Sequence, residues 1–384
     1  MVAGYVHVEV EVAQSSKRRG TPCGDVFACD RTSAATTMIL ADGIGSGIRA
    51  HLAAEMCTSR LRQLLRQGFS LRKAIAAVVR TMERSRDPSR PFAAFSVARI
   101  LNDGMATVIA YESPPPVLVC RRHAAPLPQG PLELGGALVQ EANCYLEPGD
   151  ALLLASDGIT QAGLGGGSLA NGWQTEGLVR YINDRMVEGL LPNELPRHVH
   201  REARRLWTSD GDDCTVAVGL CRRGQIVNIL SGPPGAKATD VAVVRRFIQA
   251  DGLKIVCGGT TAEIVAKVIR QRVAVEQEPK SLIAPPRYEI PGVDLVTEGA
   301  VTLNQVYNVL DEDPEDLVED SGVTELCSLL QLADRVNICM GSARNHAGSD
   351  ISFRQQGILT RDRIIPLIVE RLRAAGKLVV LERV

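Results

Sequence analysis

The sequence predicts an α+β domain built on antiparallel sheet over residues 1–222, followed by a smaller α/β domain with a largely parallel sheet over residues 223–384. Three features of the chain predict this. Up to about Cys221 short strand-like apolar runs outnumber the helical stretches. Beyond Cys221–Gln225 (CRRGQ) strand-like and helical patterns alternate, as they do where parallel strands are joined by helices. With 384 residues, 45% of them apolar and 23% charged, the chain has material for two cores of ordinary domain size.

The first strand is VHVEVEV, residues 6–12, whose strict alternation suits a half-buried sheet position. VFAC, TMILA, FSVARIL, MATVIAY, PVLVC and ALLLA follow as further strands. Asn102-Asp103-Gly104 joins SVARIL to MATVIAY and is a hairpin turn by composition. Helical periodicity appears after Asp42 in GIGSGIRAHLAAEMCTSRLRQLL, then at Leu71–Arg84, Glu176–Val187 and Glu194–Trp207. The apolar faces of these helices are expected to cover the sheets. Gly163–Gly172 brings no basic residue or cap and reads as a flexible linker rather than a phosphate cradle.

In the second domain IVNIL, LKIVCG, VDLVTEG, RVNICMG and KLVVLERV alternate with DVAVVRRFIQA and AEIVAKVIRQ. The stretch Pro279–Pro291 reads as a connection. The turns Ser231–Asp240 and Cys257–Glu263 each lead from a strand into a helix, so Thr239 or Asp240 and Thr260 or Thr261 are expected as helix caps, with an anion site as the alternative. Lys237 is followed by Ala238, which breaks the phosphate-loop pattern. This domain is expected to be regulatory or ligand-binding.

A net charge of -1 and only short basic clusters, Lys17–Arg19, Arg121–Arg122 and Arg204–Arg205, argue against nucleic acid and anionic membrane as partners. No apolar stretch approaches the roughly 18 to 20 residues of a membrane span, and the N-terminus alternates like a strand, so a cytoplasmic protein is expected. The ten cysteines, spread from Cys23 to Cys339 without CxxC pairs, fit reduced buried thiols.

Four aspartates sit where a glycine-bearing turn meets an apolar run: Asp25 in GDVF, Asp42 in ADGIGSG, Asp157 in ASDGIT and Asp212 in GDDCTV. Asp42 and Asp157 follow strands while Asp25 and Asp212 precede them, and antiparallel neighbours bring such starts and ends to one edge. Four convergent carboxylates suit two hard ions, Mg2+ or Mn2+, and phosphate ester hydrolysis by activated water. Asp42 is the candidate shared ligand, the Gly43 carbonyl a further oxygen, and Asp25, Asp157 and Asp212 the terminal ligands. Turn and helix capping by the same aspartates is the alternative; Asp103-Gly104 shows that one Asp-Gly pair is by itself only a turn. Asp212 and Asp213 should point to opposite faces, leaving one outside the ligand set. There is no GxSxG, and His198 and His200 diverge on a helix, as surface or cap residues.

Together Gly24-Asp25, Asp42–Gly47 (DGIGSG), Ser156–Gly158 (SDG) and Asp212–Thr215 (DDCT) resemble the PPM family of metal-dependent protein serine/threonine phosphatases, in its SpoIIE-like bacterial branch, over about residues 1–221. The resemblance implies a sandwich of two antiparallel sheets flanked by helices and a binuclear Mn2+ or Mg2+ centre held by Asp25, Asp42, Gly43, Asp157 and Asp212. It further implies hydrolysis of phosphoserine or phosphothreonine in a regulatory protein such as a phosphorylated STAS-type anti-sigma factor antagonist; a homodimer is a separate expectation. The phosphate-binding arginine of eukaryotic relatives has no counterpart in matching context, although Lys17, Arg18 and Arg19 lie just before Asp25. The alternative is a catalytically inactive phosphoprotein-binding scaffold whose second domain senses a ligand.

Overall fold

The computed structural model describes residues 5–18, 20–84, 92–121, 123–165, 169–207, 211–275, 288–313, 321–343 and 357–384. The chain divides into two compact units, Met1–Arg223 and Gly224–Val384.

The first unit carries β1 (Val6–Ser15), β2 (Asp25–Arg31), β3 (Ala35–Gly43), β4 (Ala93–Leu101), β5 (Met105–Tyr111), β6 (Val117–Cys120), β7 (His123–Pro126), β8 (Gly130–Leu134), β9 (Ala137–Tyr145), β10 (Ala151–Ala155) and β11 (Cys214–Arg223). They form two antiparallel sheets, β1-β11-β10-β6-β7 and β2-β3-β4-β5-β9-β8. Among the described residues five α-helices accompany them: α1 (Ile48–Arg66), α2 (Leu71–Arg84), α3 (Asp157–Thr160), α4 (Gln174–Val187) and α5 (Leu195–Leu206).

The strand period of two decides how the layers meet. Met38 and Leu40 of β3 point into a core shared with Leu152 and Leu154 of β10, which lies between the sheets. Their neighbours Ile39 and Ala41 join a second core with Ala54, Leu61, Ile75 and Val79 of α1 and α2. On the far side Leu153 and Val216 pack with Leu178, Ile182, Val199 and Ala203 of α4 and α5. The central strands are thus covered on both faces, which is why TMILA and ALLLA are unbroken apolar runs. Burying each large side chain fully contributes about 1.5 to 3 kcal/mol.

The expected hairpin forms, with Ile100 opposite Ala106 and the Met105 amide donating to Asp103 Oδ1 at 3.0 Å. Three strands were not legible. β7 and β8 lie at the sheet edges and contain Pro126 and Pro131, which edge positions tolerate. The alternation of β9 is diluted by Gln140, Glu141 and Asn143.

The second unit holds β12 (Ile226–Ser231), β13 (Leu253–Cys257), β14 (Ala274–Val275), β15 (Tyr288–Glu289), β16 (Leu295–Thr297), β17 (Arg335–Met340) and β18 (Leu378–Arg383) in the order β14-β15-β16-β13-β12-β17-β18. It is parallel from β16 through β18, and β15 pairs antiparallel with its neighbours. Its helices are α6 (Asp240–Gln249), α7 (Gly259–Ile269), α8 (Ala300–Val309), α9 (Gly322–Leu332) and α10 (Arg361–Ala374). One core lies against α8, α9 and α10, the other against α6 and α7. Tyr288 and Glu289 form a short strand where only a connection was expected; residues 279–287 lie outside the described residues, as do 166–168 of the glycine-rich stretch.

The expected side-chain caps of α6 and α7 do not form. Thr239 Oγ1 instead donates to the Ala236 carbonyl, and α7 starts from Gly258. Among the described residues no helix is long and apolar enough to cross a membrane.

Candidate metal centre

Asp25 is the first residue of β2 and lies directly opposite Asp42, near the end of β3. Asp157 opens α3 immediately after β10, and Asp212 precedes β11 by one residue, Asp213. Each sheet therefore delivers two of the four aspartates to the same end of the sandwich. Gln14 ties the sheets together there: its Nε2 donates to the Asp25 carbonyl at 3.1 Å and to Thr215 Oγ1 at 3.0 Å.

Gly43 is fixed by space. A Cβ at that position would stand 1.9 Å from the Ala50 carbonyl oxygen, so only glycine lets the first turn of α1 close over the end of β3. The turn between them needs Gly47 at φ 71°, where side chains are strained.

Asp25 is only 2% exposed, yet neither carboxylate oxygen has a hydrogen-bond partner. Burial pushes its pKa up to about 6, against the pull of the nearby Thr215 and Ser156 hydroxyls. Both hydroxyl oxygens are also held as acceptors, Ser156 Oγ from the Thr215 amide at 2.9 Å and Thr215 Oγ1 from Gln14. Asp42 is pushed up to about 10 by burial, then by the charges of Asp25 and Asp157, a hydrogen bond with Asp157 and the charge of Asp212. Asp212 is also raised, by burial first, against a hydrogen bond from the Asp213 amide at 3.0 Å and the charge of Lys17. Asp157 Oδ2 accepts from Gln161 Nε2 at 3.0 Å.

Asp25, Asp157 and Asp212 all stand close enough to Asp42 for their charges to raise its pKa, while Asp103 stays in its hairpin turn. Among the described residues no three acidic, histidine or cysteine side chains are grouped tightly enough to enclose an ion as they stand. The donor set nonetheless suits hard cations: it is all oxygen, and the buried, unpartnered Asp25 carboxylate needs a positive partner.

Asp213 lies beside this cluster, and its charge adds to the upward push on Asp25 and Asp212. It is 5% exposed, and its two oxygens accept the Lys17 amide at 2.7 Å and the Gly24 amide at 2.9 Å. Lys17 Nζ stands 3.8 Å from Asp212 Oδ1. Arg19, named with Lys17 and Arg18 in the sequence, lies outside the described residues.

Gln14, Gln161 and Trp207, whose Nε1 donates to the Gly158 carbonyl at 3.0 Å, are site neighbours with no sequence signal. His200 is not a surface or cap residue: it is half-buried, with Nε2 2.9 Å from Ser15 Oγ.

Two antiparallel sheets flanked by helices, with aspartates from both sheets at one end, define a sandwich of the PPM phosphatase class. Residues 32–219 match the family described as Stage II sporulation protein E (SpoIIE). That match covers just under half of the chain and lies within the first unit, which is thus similar to a family of serine/threonine phosphatases. Among similar solved structures is the PP2C phosphatase domain, with a fragment of the regulatory domain, of SpoIIE from Bacillus subtilis. It has 20% identity and a TM-score of 0.49, over 58% of this chain and 66% of that one. The RsbU and RsbW domains of a Mycobacterium tuberculosis protein match at 19% identity and a TM-score of 0.47, over 69% of this chain and 70% of that one. RsbX in complex with magnesium matches at 18% identity and a TM-score of 0.41, over 56% of this chain and 99% of that one. None of the curated proteins compared matches the sequence.

Proposed function

We propose that the first unit hydrolyses phosphoserine or phosphothreonine in a regulatory protein, such as a phosphorylated STAS-type anti-sigma factor antagonist. The observation that carries this is the buried Asp25 carboxylate, whose oxygens make no hydrogen bond of normal geometry and which lies within reach of the charges of Asp42, Asp157 and Asp213. Asp25, Asp42, Asp157, Asp212 and the Gly43 carbonyl would hold two divalent ions, Mn2+ or Mg2+. When bound, such ions lower the pKa of water and draw charge from phosphoryl oxygens.

The chain's own residues set the rest. Asp213 fixes the Lys17–Gly24 loop through two backbone amides, and so fixes where β2 presents Asp25. Lys17 supplies a positive charge beside Asp212 for an incoming phosphate. A protein nucleophile is disfavoured: burial pushes the Cys23 and Cys214 thiols up to about 12, and Ser156 Oγ is spent on Thr215. Water remains as the attacking group, with no covalent phosphoenzyme.

Hydrolysis of p-nitrophenyl phosphate and of a phosphothreonine peptide with Mn2+ or Mg2+, lost with EDTA and in Asp42→Asn, tests the reading. No turnover with any divalent ion would leave the inactive phosphoprotein-binding scaffold instead. The ten free cysteines support a reducing, cytoplasmic compartment. A homodimer is part of the proposal, supported by the exposed stripe Ile48, Leu52 and Met56 at helical spacing on α1.

A further inference from the structure

The helix α5 reads LPRHVHREARRL and is far more basic than a chain of net charge -1 requires. Arg205 is spent on Glu202, with contacts of 3.0 and 2.6 Å. Arg197, Arg201 and Arg204 are exposed and have no ion-pair partner among the described residues. At 100° per residue these three share an arc of about 60° on the outward face.

Helix stability does not explain the stripe. Arg197 stands in the first turn, where a cation opposes the helix dipole. Arg197 and Arg201 are four residues apart, and Arg201 and Arg204 three, so each pair places like charges side by side. Only Arg204, in the last turn, is favourable there. A surface that works against its own helix points to a partner that neutralises it.

The stripe also leads to the aspartate cluster. At the C-terminal end of α5 the Trp207 indole donates to the Gly158 carbonyl, next to Asp157. Along the flank, His200 Nε2 meets Ser15 Oγ, two residues before Lys17, whose ammonium stands 3.8 Å from Asp212. The buried face of α5 is formed by Leu195, Val199 and Ala203, which leaves the three arginines on the opposite, outward side, with Arg197 and Arg201 near Glu11 of β1. The three arginines thus line the exposed side of a helix whose C-terminal end stands beside the aspartate cluster. At its far end Arg197 and Arg201 border a cavity of about 380 Å³ together with Glu11 and Glu194, where the positive charge ends.

From this we infer that α5 is a docking rail for an acidic segment flanking the phosphorylated residue of a protein substrate. The inference rests on the phosphatase reading of the aspartate cluster and adds the substrate's local chemistry to it. Arg197 to Arg204 spans ~10 Å of helix, the length of about three extended residues. The acidic side chains are thus expected within a few positions of the phosphoresidue.

The test uses the full chain and three substrates: p-nitrophenyl phosphate, a phosphothreonine peptide flanked by Asp and Glu, and its counterpart with Asn and Gln. The wild type should prefer the acidic peptide at low ionic strength and lose that preference as salt rises. The variant R197A/R201A/R204A should lose about tenfold in kcat/KM on the acidic peptide, from three exposed charge pairs, with p-nitrophenyl phosphate turnover unchanged. Replacement of the same arginines by lysine should retain most of the preference. Equal hydrolysis of both peptides by wild type and alanine variant, with p-nitrophenyl phosphate turnover intact, would overturn the rail and leave the phosphatase standing. Absence of turnover of all three substrates would remove the reading beneath it. Tighter binding of a nucleic-acid oligomer than of the acidic peptide at equal salt would assign the stripe to another partner and also overturn the rail.

Discussion

Asp213 and Gly24, 189 positions apart, are joined by a hydrogen bond of 2.9 Å from the Gly24 amide to Asp213 Oδ2. The other oxygen takes the Lys17 amide at 2.7 Å, so one buried carboxylate closes the loop that ends at Asp25. Asp213→Ala should strand two amides and cost about 1 to 3 kcal/mol of stability. It should also lower metal affinity or activity about 10- to 100-fold, the usual effect of removing an outer-sphere support. Asp213→Asn, which keeps one acceptor oxygen, should fall between it and the wild type in both thermal melting and kcat/KM.

Asp42 holds a proton more tightly folded than unfolded, since burial and three neighbouring carboxylates push it up to about 10. The unfolded chain releases that proton near pH ~4. Between those limits the folded state binds more protons than the unfolded one, so the metal-free protein loses stability as pH rises. Asp42→Asn removes the titration. It should raise the Tm of the EDTA-treated protein at neutral pH by about 3 °C and flatten its decline with pH, while abolishing metal-dependent hydrolysis. A variant that melts below the wild type at neutral pH without metal would contradict this electrostatic picture.

Much of this was legible because the residues that converge on the site carry their own local signal. Asp25, Asp42, Asp157 and Asp212 each stand at a boundary between turn and strand. The helices α2, α4 and α5 follow from their apolar spacing. What the sequence does not carry is contact across the fold. Gln14 joins Asp25 to Thr215, and His200 meets Ser15 185 positions away, through geometry that no window of sequence contains. Edge strands β7 and β8 were missed for the complementary reason: half of each is unpaired, so their composition is free to resemble loop.

Gly43 is held by contact, since an added Cβ would sit 1.9 Å from the Ala50 carbonyl oxygen. That atom belongs to helical backbone and cannot swing aside. Gly43→Ala should therefore push α1 from the end of β3, lowering Tm by several degrees and losing metal-dependent activity. Gly45→Ala meets no atom within 4 Å but has φ 108°, so its effect should come from backbone strain alone and be smaller. Circular dichroism melts of the two variants, compared with their Mn2+-dependent turnover, separate the two causes.

Divalent ions should stabilise the folded first unit, because the cluster they would enter is one of repelling carboxylates. At a hundred times the dissociation constant the gain is about 2.7 kcal/mol, or roughly 5 to 10 °C in Tm for a domain of this size. Mn2+ or Mg2+ should give this shift and EDTA should reverse it; Asp25→Asn, which removes the charge on the unpartnered carboxylate, should largely lose it. Ligand carboxylates must shed their protons to bind a cation, and burial raises Asp25 to about 6. The shift should consequently shrink as the pH falls through that value and grow above it. A metal-induced shift of equal size in wild type and Asp25→Asn at neutral pH would place the cation away from Asp25.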